Sequence, residues 1–141
     1  MILLDTNVLS ALMQKNGPDG VVVDWLNDQP AESVWTTSVT VFEICFGIAL
    51  LESGRRRSRL SEMFAELLRD DLEGRVQSFD QSAALSSGAS AAELRGVGQS
   101  VEIRDVQIAG IAASRRAVLA TRNTRHFVGT GIELVNPWGS D

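Results

Sequence analysis

The sequence predicts an α/β domain: a three-layer α/β/α sandwich with a mostly parallel central sheet of about five strands. Three observations point there. Short apolar runs at residues 1–4, 34–38, 75–79, 117–120 and 132–135 alternate with helix-length segments along the whole chain, the pattern of strand and crossover helix that builds a parallel sheet with helices on both faces. A chain of 141 residues with 44% hydrophobic content is long enough for one sizeable core and too short for two ordinary domains, so residues 1–141 read as a single domain. There are no internal repeats or low-complexity tracts to suggest anything else.

Taken in order, Met1 to Leu4 form an apolar run ended by Asp5, Thr6 and Asn7, after which Val8, Leu9, Leu12 and Met13 recur at helical spacing. Gly17, Pro18 and Gly20 break the chain, and Val21 to Asn27 reads as a second short helix ending near Pro30. Val34 to Ser38, rich in β-branched and aromatic residues, is a strand; the apolar segment Val39 to Leu51 is too long for one and reads as a helix. Arg56 to Leu72 places Leu60, Met63, Phe64, Leu67 and Leu68 at three- and four-residue intervals, which predicts an amphipathic surface helix. Arg75 to Phe79 is a short strand, and Asp80 stands at the N-cap of an Ala- and Ser-rich helix running to about Leu94. Gly96 and Gly98 mark a loop. Arg104 to Arg116 reads as a helix with Val106, Ile108, Ala109, Ile111 and Ala112 inward, followed by a buried strand, Ala117 to Ala120, and a last strand, Ile132 to Val135.

Composition narrows the function. The formal charge of −5 argues against non-specific attraction to nucleic acid, yet twelve of the thirteen basic residues are arginines, leaving Lys15 the only lysine. Local basic patches can therefore coexist with an acidic total. The cluster Arg55, Arg56, Arg57 and Arg59 reads first as a solvated helix start. No apolar stretch approaches the ~18 residues of a membrane span, so a soluble, cytoplasmic protein is expected. Cys45, the single cysteine, can make no internal disulfide or cysteine-based zinc site and reads as a core residue. His126, the single histidine, lies in a polar stretch and reads as a surface or substrate-side residue, so hydrolysis by a side-chain nucleophile is not favoured. No P-loop and no Gly-x-Gly-x-x-Gly is present.

In a parallel sheet ligands bind beyond the carboxyl ends of the strands, so the residues just after each strand matter most. Asp5 follows the first strand and is the only charge between Met1 and Gln14; as a bare signal it equally fits a helix N-cap. Glu43 is the only charge from Ser33 to Leu51 and is flanked by Val41, Phe42, Ile44, Cys45 and Phe46, which predicts buried surroundings. A carboxylate there needs a partner or a metal. Asp105 heads the apolar helix from Val106 and is likewise either a cap or a site residue. Three such acids beside strand ends converge on one sheet edge, and a pocket of that kind needs a counter-ion. A phosphoaspartyl chemistry would call for a lysine in the pocket, and Lys15 lies beyond the first helix. A divalent ion, Mg²⁺ or Mn²⁺, which takes hard oxygen ligands and keeps waters, answers the need.

Four segments then resemble a known family: Ile2-Leu3-Leu4-Asp5-Thr6-Asn7-Val8-Leu9-Ser10, Ser38-Val39-Thr40-Val41-Phe42-Glu43-Ile44, Arg104-Asp105-Val106-Gln107-Ile108-Ala109-Gly110-Ile111-Ala112 and Leu119-Ala120-Thr121-Arg122-Asn123-Thr124-Arg125-His126-Phe127. In this order and spacing, with Phe79-Asp80 before an Ala-rich helix and a terminal Asn136-Pro137-Trp138, they resemble PIN domains of VapC-type toxins, especially the FitB-like branch. The resemblance implies a metal-dependent ribonuclease in which Asp5, Glu43 and Asp105 hold the ion that activates water, supported by hydrogen bonds from Asn7 and Thr121. It implies that Asn123 stands where many relatives carry a fourth acid, so that the pocket has one charge fewer. It also implies a homodimer, a cognate antitoxin that sends an arginine into the acidic pocket, and RNA as substrate. The alternative is a catalytically weak PIN-fold module that binds an antitoxin or RNA, with Asn123 as a mark of decay. Replacing Asp5 or Asp105 with Asn is expected to abolish cleavage and leave the fold intact, because mutual carboxylate repulsion is relieved.

Overall fold

In a computed structural model that describes residues 1–139, five short strands form one sheet; Ser140 and Asp141, which the single-domain reading includes, lie outside the described residues. The strands are β1 (Ile2–Leu4), β2 (Val34–Thr37), β3 (Val76–Gln77), β4 (Val118–Ala120) and β5 (Glu133–Val135). They lie in the order β3-β2-β1-β4-β5, and every neighbouring pair is parallel, so the sheet is wholly rather than mostly parallel. The chain builds outward from β1 through β2 to β3 and then crosses back to lay β4 along the other edge of β1. That reversal puts the switch point between β1 and β4.

Six helices cover the two faces: α1 (Thr6–Leu12), α2 (Gly20–Asn27), α3 (Ser38–Ala49), α4 (Arg55–Glu66), α5 (Gln81–Gly96) and α6 (Ile103–Arg115). The two-residue period of a strand divides β1 between two cores. Leu4 packs with Val8, Leu9, Val22, Ile44 and Phe64 on the side of α1 to α4, whereas Leu3 packs with Ala83, Ile108, Ile111, Ala112 and Leu119 on the side of α5 and α6. Three layers result.

Helices α5 and α6 pack tightly together, and small residues make that possible. A Cβ added at Gly110 would overlap Ser87 Oγ and stand 2.6 Å from the Ala83 carbonyl oxygen, while Ser87 Oγ itself donates to the Val106 carbonyl at 3.0 Å. Arg115, at the end of α6, binds across to Gln77 Oε1, Asp80 Oδ1 and the Ser78 carbonyl. Asp80 caps α5 as expected, its Oδ1 accepting from the Ala83 N–H at 3.0 Å. These contacts fix α6, which carries Asp105.

Three expectations need correction. The helix anticipated over residues 56–72 is α4 followed by a π-helical turn, Leu67–Asp71, closed by the Leu72 N–H on the Leu67 carbonyl at 2.9 Å. The wider turn brings residues five apart onto one face, so that Leu67 and Leu72 are both buried. Gly96, taken as loop, closes α5 instead. Cys45, taken as core, is exposed. It lies one residue past the buried Ile44 and so is turned about 100° away on a helix whose apolar residues continue round to Phe42 and Phe46, both exposed.

Candidate active site

Asp5 leaves β1 at the switch point; the residue is 6% exposed and its carboxylate is fully engaged. Oδ1 accepts from the Thr6 N–H at 2.8 Å, which makes Asp5 the N-cap of α1. Oδ2 accepts from the Thr121 hydroxyl at 2.7 Å and from Asn7 Nδ2 at 3.3 Å. Asn7 Nδ2 also donates to Thr121 Oγ1 at 3.2 Å, and Asn7 Oδ1 accepts from the Arg122 N–H at 2.9 Å. Thr121 follows β4 directly and takes a further bond from the Asn123 N–H at 3.1 Å. The cap and the site are therefore one residue, held by two neighbouring strand ends.

Glu43, on the second turn of α3, is half-buried rather than enclosed: Oε1 accepts from Thr6 Oγ1 at 3.2 Å and Oε2 faces Arg104 NH1 at 3.7 Å. Asp105 reaches the same place by a different route from the one expected. It lies not beside a strand end but in the first turn of α6, after a helix-to-helix connection, and the cap of that helix is Glu102, whose Oε2 accepts from the Asp105 N–H at 2.9 Å. The Asp105 carboxylate faces His126 Nδ1 at 3.5 Å. Asn123 precedes the 3₁₀ turn Thr124–Phe127 and makes no side-chain cap bond to it.

A cavity of about 380 Å³ brings Asp5, Asn7, Glu43, Asp105 and Asn123 together and adds Thr6, Glu102, Arg104 and His126. Thr121 stands behind Asp5, fully buried. The acids resist ionisation in this setting. Burial, only partly offset by its hydrogen bonds, raises the pKa of Asp5. Glu43 is raised by burial first and then by the charges of Asp5 and Asp105, against the pull of Arg104 and Thr6. Asp105 is pushed up to about 6, again by burial first, then by Glu102 and Asp5, with His126 and Arg104 acting the other way. Carboxylates that destabilise one another around a shared space favour a cation between them. Among the described residues no three acid, histidine or cysteine side chains close into a finished metal cage. The donor set is instead open and made of hard oxygens, which suits an ion that retains part of its water shell and completes it with substrate.

Sequence reasoning passed over Thr6, Glu102 and Arg104. The available signal was an acid three residues before Asp105, at capping distance, with an arginine between them. His126, read as a surface or substrate-side residue, is half-exposed and lines the cavity.

The family model described as PIN domain matches residues 2–131. Plasmid stability protein StbB of Pseudomonas syringae pv. tomato is 38% identical over 138 residues, covering 98% of this chain and 99% of that protein. VapC ribonuclease Y4jK of Sinorhizobium fredii is 35% identical over 138 residues, covering 98% of each. Among solved structures, the crystal structure of FitAcB from Neisseria gonorrhoeae holds a chain that superposes with a TM-score of 0.83 at 30% identity, covering 99% of this chain and 100% of that one.

Proposed function

The chain belongs to the PIN-domain family, in its VapC and FitB group, and on that premise we propose that it is a ribonuclease dependent on Mg²⁺ or Mn²⁺, the toxin of a toxin–antitoxin pair. The observation that carries this reading is the convergence of Asp5, Glu43 and Asp105 on one open cavity, each with its carboxyl pKa raised by burial and, for Glu43 and Asp105, by its neighbours.

Asp5, Glu43 and Asp105 are the residues that would hold the ion, with Asn123 offering a neutral carbonyl oxygen at the rim. A divalent ion there supplies charge to offset the phosphate and lowers the pKa of water for attack at phosphorus. The rest is the work of the chain. Thr121 and Asn7 keep Asp5 in one orientation by donating to Oδ2, and the Thr6 hydroxyl turns Glu43 toward the cavity. Arginines flank the acids on both sides: Arg56 lines a neighbouring cavity that shares Thr6 and Glu43, and Arg125 lines another that shares Glu102, Asp105 and His126. Cations at both rims of a negative centre suit a polyanion lying across it. The three guanidinium groups of Arg55 to Arg57 occupy the first turn of α4, where the helix dipole disfavours positive charge.

The partners follow from the same reading. The outer surface of α3 leaves Phe42, Phe46 and Leu50 at 58%, 49% and 70% exposure, with the two phenyl rings stacked 6.0 Å apart. An apolar patch of that kind supports coverage by protein, which we assign to a second copy of the chain together with the antitoxin. No helix among the described residues is long and apolar enough to cross a membrane.

The deciding experiment is cleavage of a mixed RNA pool with excess EDTA and after readdition of Mg²⁺ or Mn²⁺. Cleavage is expected only with the metal; undiminished activity in EDTA overturns the assignment. A second reading, a binding module with little catalysis, is favoured by Arg104, which lies in the cavity 3.7 Å from Glu43, and by Asn123 in place of an acid. RNA binding with no metal-stimulated cleavage would select it.

A further inference from the structure

A cavity larger than the one shared by Asp5, Glu43 and Asp105 opens on the far side of Asp105. It measures about 760 Å³, within the ~300–1,000 Å³ of small-ligand sites, and is continuous with the acidic centre through Glu102, Asp105 and His126. Resting on the ribonuclease reading, we propose that this cavity is a nucleotide subsite, in which Gln99 and Arg125 hold and read the base next to the scissile phosphate.

The walls have the chemistry a splayed base requires. Val101 and Val128 offer apolar surface for the faces of a ring, and the buried Leu94 forms the floor. Gln99 and Ser100 supply an amide and a hydroxyl for base edges, and Arg125 supplies a cation able to stack on a base or meet a phosphate. Among the described residues the side chains of Gln99, Ser100 and Arg125 have no internal hydrogen bond or ion pair, so all three are available to a ligand. Glu102, the one acid besides Asp105 on this wall, is already engaged: Oε2 accepts from the Asp105 N–H and Oε1 faces Arg104 at 3.7 Å.

Gln99 is also placed by design of the backbone. Its N–H donates to the Leu94 carbonyl at 2.9 Å, which ties the loop to the end of α5. On the facing loop Gly129 adopts φ +88°, and a Cβ there would stand 3.0 Å from Leu94 Cδ2 and 3.3 Å from Gln99 Oε1. The glycine leaves room for the amide to sit where it does. A cavity with amide and hydroxyl groups over an apolar floor, one step from three carboxylates, suits an unstacked RNA base better than duplex, whose base edges are closed off.

The test uses unstructured oligoribonucleotides identical except for the base flanking the cleaved bond, read as kcat and KM for each of the four bases. The full chain with Mg²⁺ is expected to show a preference of about tenfold at one flanking position, the size of one good base-edge contact. Gln99→Ala should shrink that preference below about threefold, chiefly by raising KM for the favoured base, while cleavage of RNA persists. Arg125→Ala should raise KM for all four substrates together, and Arg125→Lys should recover part of the loss. Fluorescence anisotropy of the same oligonucleotides on the wild-type chain in EDTA should reproduce the order of affinities without turnover. Equal rates for all four bases, or a Gln99→Ala variant that keeps the wild-type order, overturns the subsite and leaves the ribonuclease standing. A wild-type chain that cleaves none of these or any other RNA with Mg²⁺ brings down both.

Discussion

Asp5 and Asp105 face the same cavity, yet the protein treats them differently. Asp5 sits at the joint of two central strands, with both oxygens bound and three donors aimed at it. Asp105 rides on the first turn of a helix, meets only His126 at 3.5 Å, and carries a pKa raised to about 6. One acid is part of the scaffold; the other is held in an unfavourable state that a cation can relieve. A site built this way is half rigid and half responsive, and the responsive half adjoins the larger cavity.

The sharpest way to break the comparison is to neutralise each acid. Asp5→Asn and Asp105→Asn should both lower cleavage by on the order of 10³-fold, about 4 kcal/mol of transition-state stabilisation. Their stabilities should part company. An amide at position 5 must aim its NH₂ either at the Thr6 N–H or at the Thr121 and Asn7 donors, so Asp5→Asn should cost about 1–3 kcal/mol in urea unfolding. Asp105→Asn removes a charge without orphaning a donor and should leave the metal-free protein as stable or more so. For Asp5 this departs from the expectation that both variants spare the fold; equal stability of the two would favour that expectation.

Thr121→Val tests the rigid half without touching a charge. It deletes the donor to Asp5 Oδ2 and the acceptor for Asn7 and Asn123, and should lower kcat about 10–100-fold, as loss of a ligand-orienting bond does. Thr121→Ser, which keeps the hydroxyl, should restore most of it. Failure of Ser to rescue would make the effect one of packing.

The responsive half should announce itself in the pH dependence of the metal-free chain. Asp105 binds its proton more tightly folded, at about 6, than unfolded, at the ordinary 3.8, so the folded state holds more protons between those values and its stability falls as pH rises through about 6. Asp5 and Glu43 are shifted in the same direction. The gap in unfolding midpoint between wild type and Asp105→Asn should therefore widen from pH 5 to 7.5 and close when saturating Mg²⁺ is added to the wild type. Parallel profiles would mean that the cavity relieves the charge internally. Smallest of all, Asn123→Asp should lower the metal concentration for half-maximal cleavage by a few-fold, since it adds charge at the rim. An unchanged titration would place the side chain outside the ion's reach.

The difference between the two acids also marks how far the sequence could be read. Asp5 was legible because it ends an apolar run abruptly, and Glu43 because it is a lone charge in an apolar segment. Asp105 was legible as a candidate, but its route to the cavity was not. Its position depends on how closely α5 meets α6 across Ser87 and Gly110, a long-range fit that local periodicity does not encode. Glu102 and Arg104 were missed for a different reason: the local capping signal, an acid three residues before Asp105, was passed over. The segment around Cys45 failed differently: a helix apolar on every side has no pattern that says which side is covered.

The register of the sheet sets a clock on all of this. Strand β1 pairs Ile2 with Val118 and Leu4 with Ala120, and Thr121 closes on Asp5 only once that pairing exists. During synthesis Asp5 is made early, and Thr121, its one distant donor, follows only after more than a hundred further residues. Contacts so distant in sequence form late in folding. On the ribonuclease reading, the site stays incomplete until the segment carrying Thr121 has left the ribosome, which leaves translation time for anything that must meet the chain at birth.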